Sequence, residues 1–191
     1  MAAGPLAAAK HFTNVSIMKK ILMILVVLFS VSGVAKAIGP ELSVSYGGYT
    51  QMDATDCKDG WKHVNNAWGA VNAGLNFRVT RALRLGLSYT FSSTTTKHGP
   101  DHSKIAYHAI MLNGMYDYYR NSIVTLYGHL GLGAEISHMM PRHHDSYNKS
   151  YFAYQISPLG AQVGLGRSAA LFGELGFGAQ GLLQVGFRFS L

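Results

Sequence analysis

From residue 41 onward, apolar and polar residues alternate in runs, and the runs are separated by polar or glycine-rich breaks. Period-two alternation puts successive side chains on opposite faces of a strand. The last run is the most regular: Leu183, Val185, Phe187, Phe189 and Leu191 are apolar, with Gln184, Gly186, Arg188 and Ser190 between them. The pattern predicts eight strands, over 41–52, 66–79, 83–95, 105–118, 123–137, 151–165, 171–178 and 182–191. The fourth is the least regular, with Ile110, Leu112, Tyr116 and Tyr118 on one face but Met111 and Met115 on the other. The sixth changes phase near Pro158, where a bulge is expected. Long loops are predicted over 53–65, 97–104 and 138–150, the second on the strength of the breaker Gly99-Pro100-Asp101. Short turns are predicted at 80–82, 120–122, 166–170 and 179–181.

The polar stripes argue against a soluble sheet. A water-facing stripe favours Lys and Glu, yet in the last run the positions between apolar residues are small or uncharged, with one arginine. A transmembrane barrel inverts the soluble arrangement, with apolar side chains toward lipid and polar ones filling the lumen. Charge placement is an independent test. All lysines after residue 37 (Lys58, Lys62, Lys97, Lys104 and Lys149) fall in the long loops or at their edges. Arg81, Arg120 and Arg167 fall in short turns, and Arg78, Arg84 and Arg188 on polar stripes. A cation on a lipid-facing stripe at mid-membrane would cost about 2–4 kcal/mol. The expected fold is therefore all-β: an eight-stranded antiparallel transmembrane up-and-down barrel over 38–191.

The N-terminal segment supports export. Met18-Lys19-Lys20 precedes an uncharged stretch over 21–35, and Ala35-Lys36-Ala37 supplies a small-x-small cleavage site. That is the layout of a secretory signal peptide over 18–37, and the stretch is shorter than the roughly 18 residues of a spanning helix. Residues 1–17 are expected to precede the true start. The formal net charge of +7 owes much to this segment; without it twelve basic residues face nine acidic ones, a net +3. No basic stripe for nucleic acid remains.

Gln184, Gly186, Phe189 and Leu191 resemble, in spacing, the C-terminal assembly signal of Gram-negative outer-membrane barrels, which more often ends on an aromatic residue. The whole region also resembles the small eight-stranded barrels of the OmpA/OmpX type, within the "outer membrane protein beta-barrel" or small-porin family. The stretches that carry this are 123–133 and 156–189, with Pro158-Leu159-Gly160 and Glu174-Leu175-Gly176-Phe177-Gly178. The resemblance implies an outer-membrane location with both ends periplasmic. It implies contact with outer-membrane lipid and lipopolysaccharide, periplasmic chaperones and the outer-membrane assembly machinery. It specifies architecture far better than activity.

Candidate chemistry lies inside. The expected interior set is Arg78, Arg84, Glu135, Glu174 and Arg188, with Gln51, Asn72, Asn76 and Gln184. Buried charges must pair, and an eight-stranded barrel is just wide enough for side chains to fill it. A hairpin about Gln180 would set Glu174 opposite Gly186 and diagonal to Arg188, and Arg78 would face Arg84 across the second turn. An ion-pair plug is the structural reading, and a narrow gated path the functional one. His138, His143 and His144 beside Asp145 have the donors for a metal but no fixed ligand spacing, so no metal and no cofactor is assigned. Asp101-His102-Ser103 and His144-Asp145-Ser146 contain residue types used by lipid-modifying barrels, but neighbouring loop residues rarely make a catalytic constellation. Cys57 is the single cysteine and has no internal partner. The function read from these residues is a non-enzymatic barrel whose outer loops contact extracellular protein or glycan; a small-solute or ion pore and a lipid enzyme are the alternatives.

Overall fold

The computed structural model describes residues 38–51, 69–98, 101–140 and 147–191. They form eight strands: β1 (Ile38–Gly48), β2 (Ala70–Arg78), β3 (Leu83–His98), β4 (Asp101–Arg120), β5 (Val124–Met140), β6 (Tyr147–Gly164), β7 (Ala169–Gly178) and β8 (Leu183–Ser190). Each pairs antiparallel with its neighbour in sequence, and β1 pairs with β8 from Glu41↔Ser190 to Gly48↔Leu183, closing the barrel. The expected signal segment, the cleavage residues Ala35 and Ala37, Cys57, His143, His144 and the core of the first loop lie outside the described residues.

Burial is inverted relative to a soluble protein. Ile110 is 63% exposed and Phe187 49%, whereas Arg84 is 1% exposed. Apolar residues form the outer belt, and polar residues point into the lumen.

The wall has two heights. Strands β3, β4, β5 and β6 run for 16, 20, 17 and 18 residues. Strands β1, β2, β7 and β8 run for 11, 9, 10 and 8. Short turns join neighbours at one end, so the excess length projects from the other. Two turns are tied by their own side chains. Thr80 Oγ1 accepts from Leu83 N at 2.9 Å, and Asn121 Oδ1 accepts from Ile123 N at 2.8 Å and Val124 N at 2.6 Å.

This corrects two predicted loops. Pairing runs unbroken from Leu83↔Tyr116 to His98↔Asp101, so residues 97–98 and 101–104 of the predicted loop are strand. Likewise β5 reaches Met140 and β6 begins at Tyr147, so residues 138–140 and 147–150 of the other predicted loop are strand. Cross-strand pairing and the Ser/Thr-rich run before residue 97 carry the strands past the local polarity signal. The bulge at Pro158 is present: register shifts between Ile156 and Leu159 on the β7 side, and between Tyr127 and His129 on the β5 side.

The irregular fourth strand also resolves. Met111 and Met115 point inward, beside Ile105, Tyr107 and Ala109, all at most 4% exposed. The lumen is thus polar on most strands but apolar along the upper part of β4.

Candidate functional site

The best-organised chemistry in the barrel is an ion lattice at the short-turn end of the lumen. Arg78 and Arg84 are cross-strand partners, as the turn between them predicts. Arg84 Nη2 donates to Asp117 Oδ1 at 2.6 Å, and Nη1 to Glu41 Oε2 at 3.3 Å. Arg78 Nη2 donates to Glu41 Oε1 at 2.7 Å, and its Nη1 lies 3.8 Å from Asp117 Oδ2. Arg120 donates to Asp117 from the rim. Arg188 Nε lies 3.9 Å from Glu41 Oε2. Gln162 Oε1 accepts from both Arg84 and Arg188. Four arginines from β2, β3, β4 and β8 are thereby tied to two carboxylates from β1 and β4.

The Tyr127 ring lies beneath two guanidinium groups of the lattice, 4.8 Å from Arg84 Cζ and 5.2 Å from Arg188 Cζ. Arg188 also stacks on Phe172 at 4.6 Å. Such contacts strengthen when desolvated. Gly160 makes room for the Tyr127 ring, since a Cβ there would come within 2.6 Å of it. Tyr127 OH donates to Glu174 Oε1 at 2.8 Å. The other carboxylate oxygen of Glu174 lies 2.8 Å from His129 Nδ1, and His129 Nε2 lies 3.1 Å from Asn113 Oδ1.

At the loop end the seal is different. The β7–β8 turn folds inward, burying Ala179 and Gln180 at 0% and 2% exposure. Gln180 N donates to Gln155 Oε1 at 2.9 Å, and Gln180 Nε2 to Ser88 Oγ at 2.9 Å. Gly178 and Gly181 take φ of 139° and 111°, which a side chain would resist, so the tuck depends on both glycines. Ala179 packs in the apolar cluster of Ile105, Tyr107, Ala109, Met111 and Ala153.

Of the five predicted interior charges, Arg78, Arg84 and Arg188 meet in the lattice. Glu174 does not pair with Arg188 directly. Its cross-strand partner is Gln184 and not Gly186, because the hairpin register is two residues from the one expected about Gln180. It reaches Arg188 only through Tyr127, whose OH accepts from Arg188 Nη2 at 3.4 Å. Glu135 is fully buried on β5, and Ser137 Oγ donates to it at 3.3 Å.

Sequence reasoning missed Glu41, Asp117, Gln162 and the Tyr127–His129 pair. The signal was present: Glu41 precedes the outward Leu42 and Asp117 lies between the outward Tyr116 and Tyr118, so both have inward parity. In the assembly stretch, Gln184 and Gly186 face inward, while Phe189 and Leu191 are 41% and 76% exposed. His138 Nδ1 contacts Asn148 Oδ1 near the projecting end. Among the described residues no group of three or more His, Cys, Asp or Glu could hold a metal ion.

No protein-family model and no curated protein matches the chain. Solved structures of Ail, the attachment invasion locus protein of Yersinia pestis, are similar to it. The Ail crystal structure shows 17% identity over 80% of this chain and 91% of that one, with a TM-score of 0.40. Ail in complex with the heparin analogue sucrose octasulfate gives 13%, 80% and 92%, with a TM-score of 0.41. The backbone structure of Ail in a phospholipid bilayer nanodisc gives 15%, 80% and 99%, also with a TM-score of 0.41.

Proposed function

We propose that the chain is an integral outer-membrane β-barrel, exported by the signal at 18–37, that acts in surface interaction through the tall sheet of β3–β6. The unequal wall carries this reading. A tilted strand crosses a membrane in about 9–11 residues. The 8 to 11 residues of β1, β2, β7 and β8 meet that need, and the 20 of β4 far exceed it. The excess serves no spanning purpose and presents a rigid platform to the medium. Rigid strands position contacts more exactly than free loops do. The periplasmic side is then the short-turn end, which holds residues 38 and 191, and the partner is an extracellular protein or glycan. The ion lattice closes the lumen below and is structural, and the barrel is not an enzyme.

Cells of a Gram-negative host displaying the protein test this reading. Adhesion to surfaces coated with matrix glycoprotein or sulfated glycan is compared with that of a variant lacking 95–102 and 139–148. The shortened barrel retains every pairing between the low strands, so it should still fold and show heat-modifiable migration, but lose adhesion. Equal adhesion by both proteins refutes a role for the tall sheet.

A further inference from the structure

Charge is unevenly shared between the ends of the barrel. The short-turn end carries one exposed arginine for each of its three turns: Arg81 between β2 and β3, Arg120 at the end of β4, and Arg167 between β6 and β7. With Arg78, Arg84 and Arg188 they make six guanidinium groups, against two carboxylate side chains at that end, Glu41 and Asp117. The next acid up the lumen, Glu174, is held by Tyr127 and His129. The predicted loops of the opposite end are close to balance, with Asp53, Asp56, Asp59, Asp101 and Asp145 against six Lys and Arg residues.

The cationic excess reaches the surface. Within the lattice four arginines share two carboxylates, and two of the four come to the rim: the Arg78 side chain is 15% exposed and that of Arg120 38%. Arg81 and Arg167 are exposed and take no part in the lattice. The turns are tied. Leu83 N donates to Thr80 Oγ1, Val124 N to Asn121 Oδ1, and Leu165 N to Ala169 O at 2.8 Å, so each arginine is carried at a fixed height. That height is the edge of the apolar belt: exposed Tyr116, Tyr118 and Tyr119 precede Arg120, and exposed Leu165 precedes Arg167. Tyrosines mark the boundary between hydrocarbon and headgroups, and long basic side chains at such a boundary extend into the headgroup layer. Residue type points the same way. The cations of this end are all arginines, while every lysine after residue 37 lies in the predicted loops. A guanidinium fork matches the oxygens of a phosphate group in a way that an ammonium group does not.

We propose that the short-turn rim seats anionic phospholipids, with the phosphate groups of separate lipids on Arg81, Arg120 and Arg167. Neighbouring turns are two strands apart, on the order of 10 Å along the wall. One phosphate does not bridge that distance, so the rim takes a ring of headgroups. These supply the counter-charge that the acidic side chains of this end do not, and they fix how deeply the barrel sits in the bilayer. The proposal rests on the transmembrane fold and is independent of binding at the tall sheet.

Electron spin resonance of spin-labelled phosphatidylglycerol and phosphatidylcholine, each added to the barrel in phosphatidylcholine bilayers, tests the proposal, with folding of each protein checked by heat-modifiable migration. The native barrel should hold the anionic lipid several-fold more strongly than the zwitterionic one in low salt, and high salt should narrow the difference. Arg81→Gln combined with Arg167→Gln leaves the lattice intact and should remove most of the preference. Adding Arg120→Gln should remove the rest. Lys58→Gln with Lys62→Gln takes the same charge from the predicted first loop and should leave the preference unchanged. A native barrel that inserts without any preference overturns the proposal. So does a preference kept by the triple variant or lost equally in the lysine variant. Cell-wall fragments that bind the native barrel but not the arginine variants, with no lipid preference, would give the rim to an acidic polymer and likewise overturn it. Failure of the native chain to insert at all would sink the transmembrane fold, and the proposal with it.

Discussion

The two ends of the lumen are sealed by opposite means. At the short-turn end, Arg78, Arg84, Arg120 and Arg188 are held by Glu41 and Asp117. At the loop end, Ala179 tucks against Ile105, Tyr107 and Met111, and Gln180 donates to Ser88. The first seal is directional: each contact needs a partner of opposite sign at a fixed place, and removing one member strands the others. The second is largely non-directional, and its strength follows the apolar surface it covers. The apolar part of the loop-end seal can therefore tolerate a wider choice of side chains than the ion lattice can, although Gly178 and Gly181 stay fixed by their backbone conformations.

The sharpest way to break the contrast is Asp117→Ala. It leaves Arg78 and Arg84 to Glu41 and takes from Arg120 its carboxylate partner, and should cost about 3–5 kcal/mol in urea unfolding of the folded barrel from bilayers. Removing Arg84 as well by Arg84→Met should recover part of that loss, because an apolar pair can replace a buried ion pair at little cost. At the other end, Met111→Ala should cost about 2–5 kcal/mol through the cavity it leaves, and no removal of charge should rescue it. Gly160→Ala tests the seat of the Tyr127 ring; forcing the ring off the backbone should cost about 1–3 kcal/mol and weaken both arginine contacts. The smallest effect belongs to Arg120→Ala. Its side chain is 38% exposed at the rim, so the loss should stay within about 1 kcal/mol and fade in high salt. If Arg120→Ala matched Asp117→Ala, the lattice would extend to the surface and the two-seal contrast would fail.

Much of this was legible in the alternation. Leu85, Leu112 and Phe187 share outward parity with their neighbours, which shows that strands exist and which face meets lipid. Arg78 and Arg84 were readable as partners because only a short turn separates them. The partners of Arg188 were not. Glu41 lies at the far end of the sequence, and only barrel closure, with its register Glu41↔Ser190, brings the two together. The tall sheet was hidden for another reason: Gly99-Pro100 and the surrounding polar residues look like a loop locally, while the pairing that extends β3 and β4 is a property of two segments together. The inward tuck of Gln180 depends on two glycine conformations and on Ser88, ninety-two residues away, and no local pattern encodes it.

Barrel closure has a kinetic consequence. The lattice takes Glu41 from the first strand and Arg188 from the last. Until those strands zip together, a growing sheet carries guanidinium groups whose counter-charges are still elsewhere, in surroundings that solvate them poorly. Half-built intermediates are therefore penalised relative to both the unassembled chain and the finished ring. The assembly step becomes all-or-none, and the charge lattice acts as a proofreading device that rewards a chain only when its two ends have met.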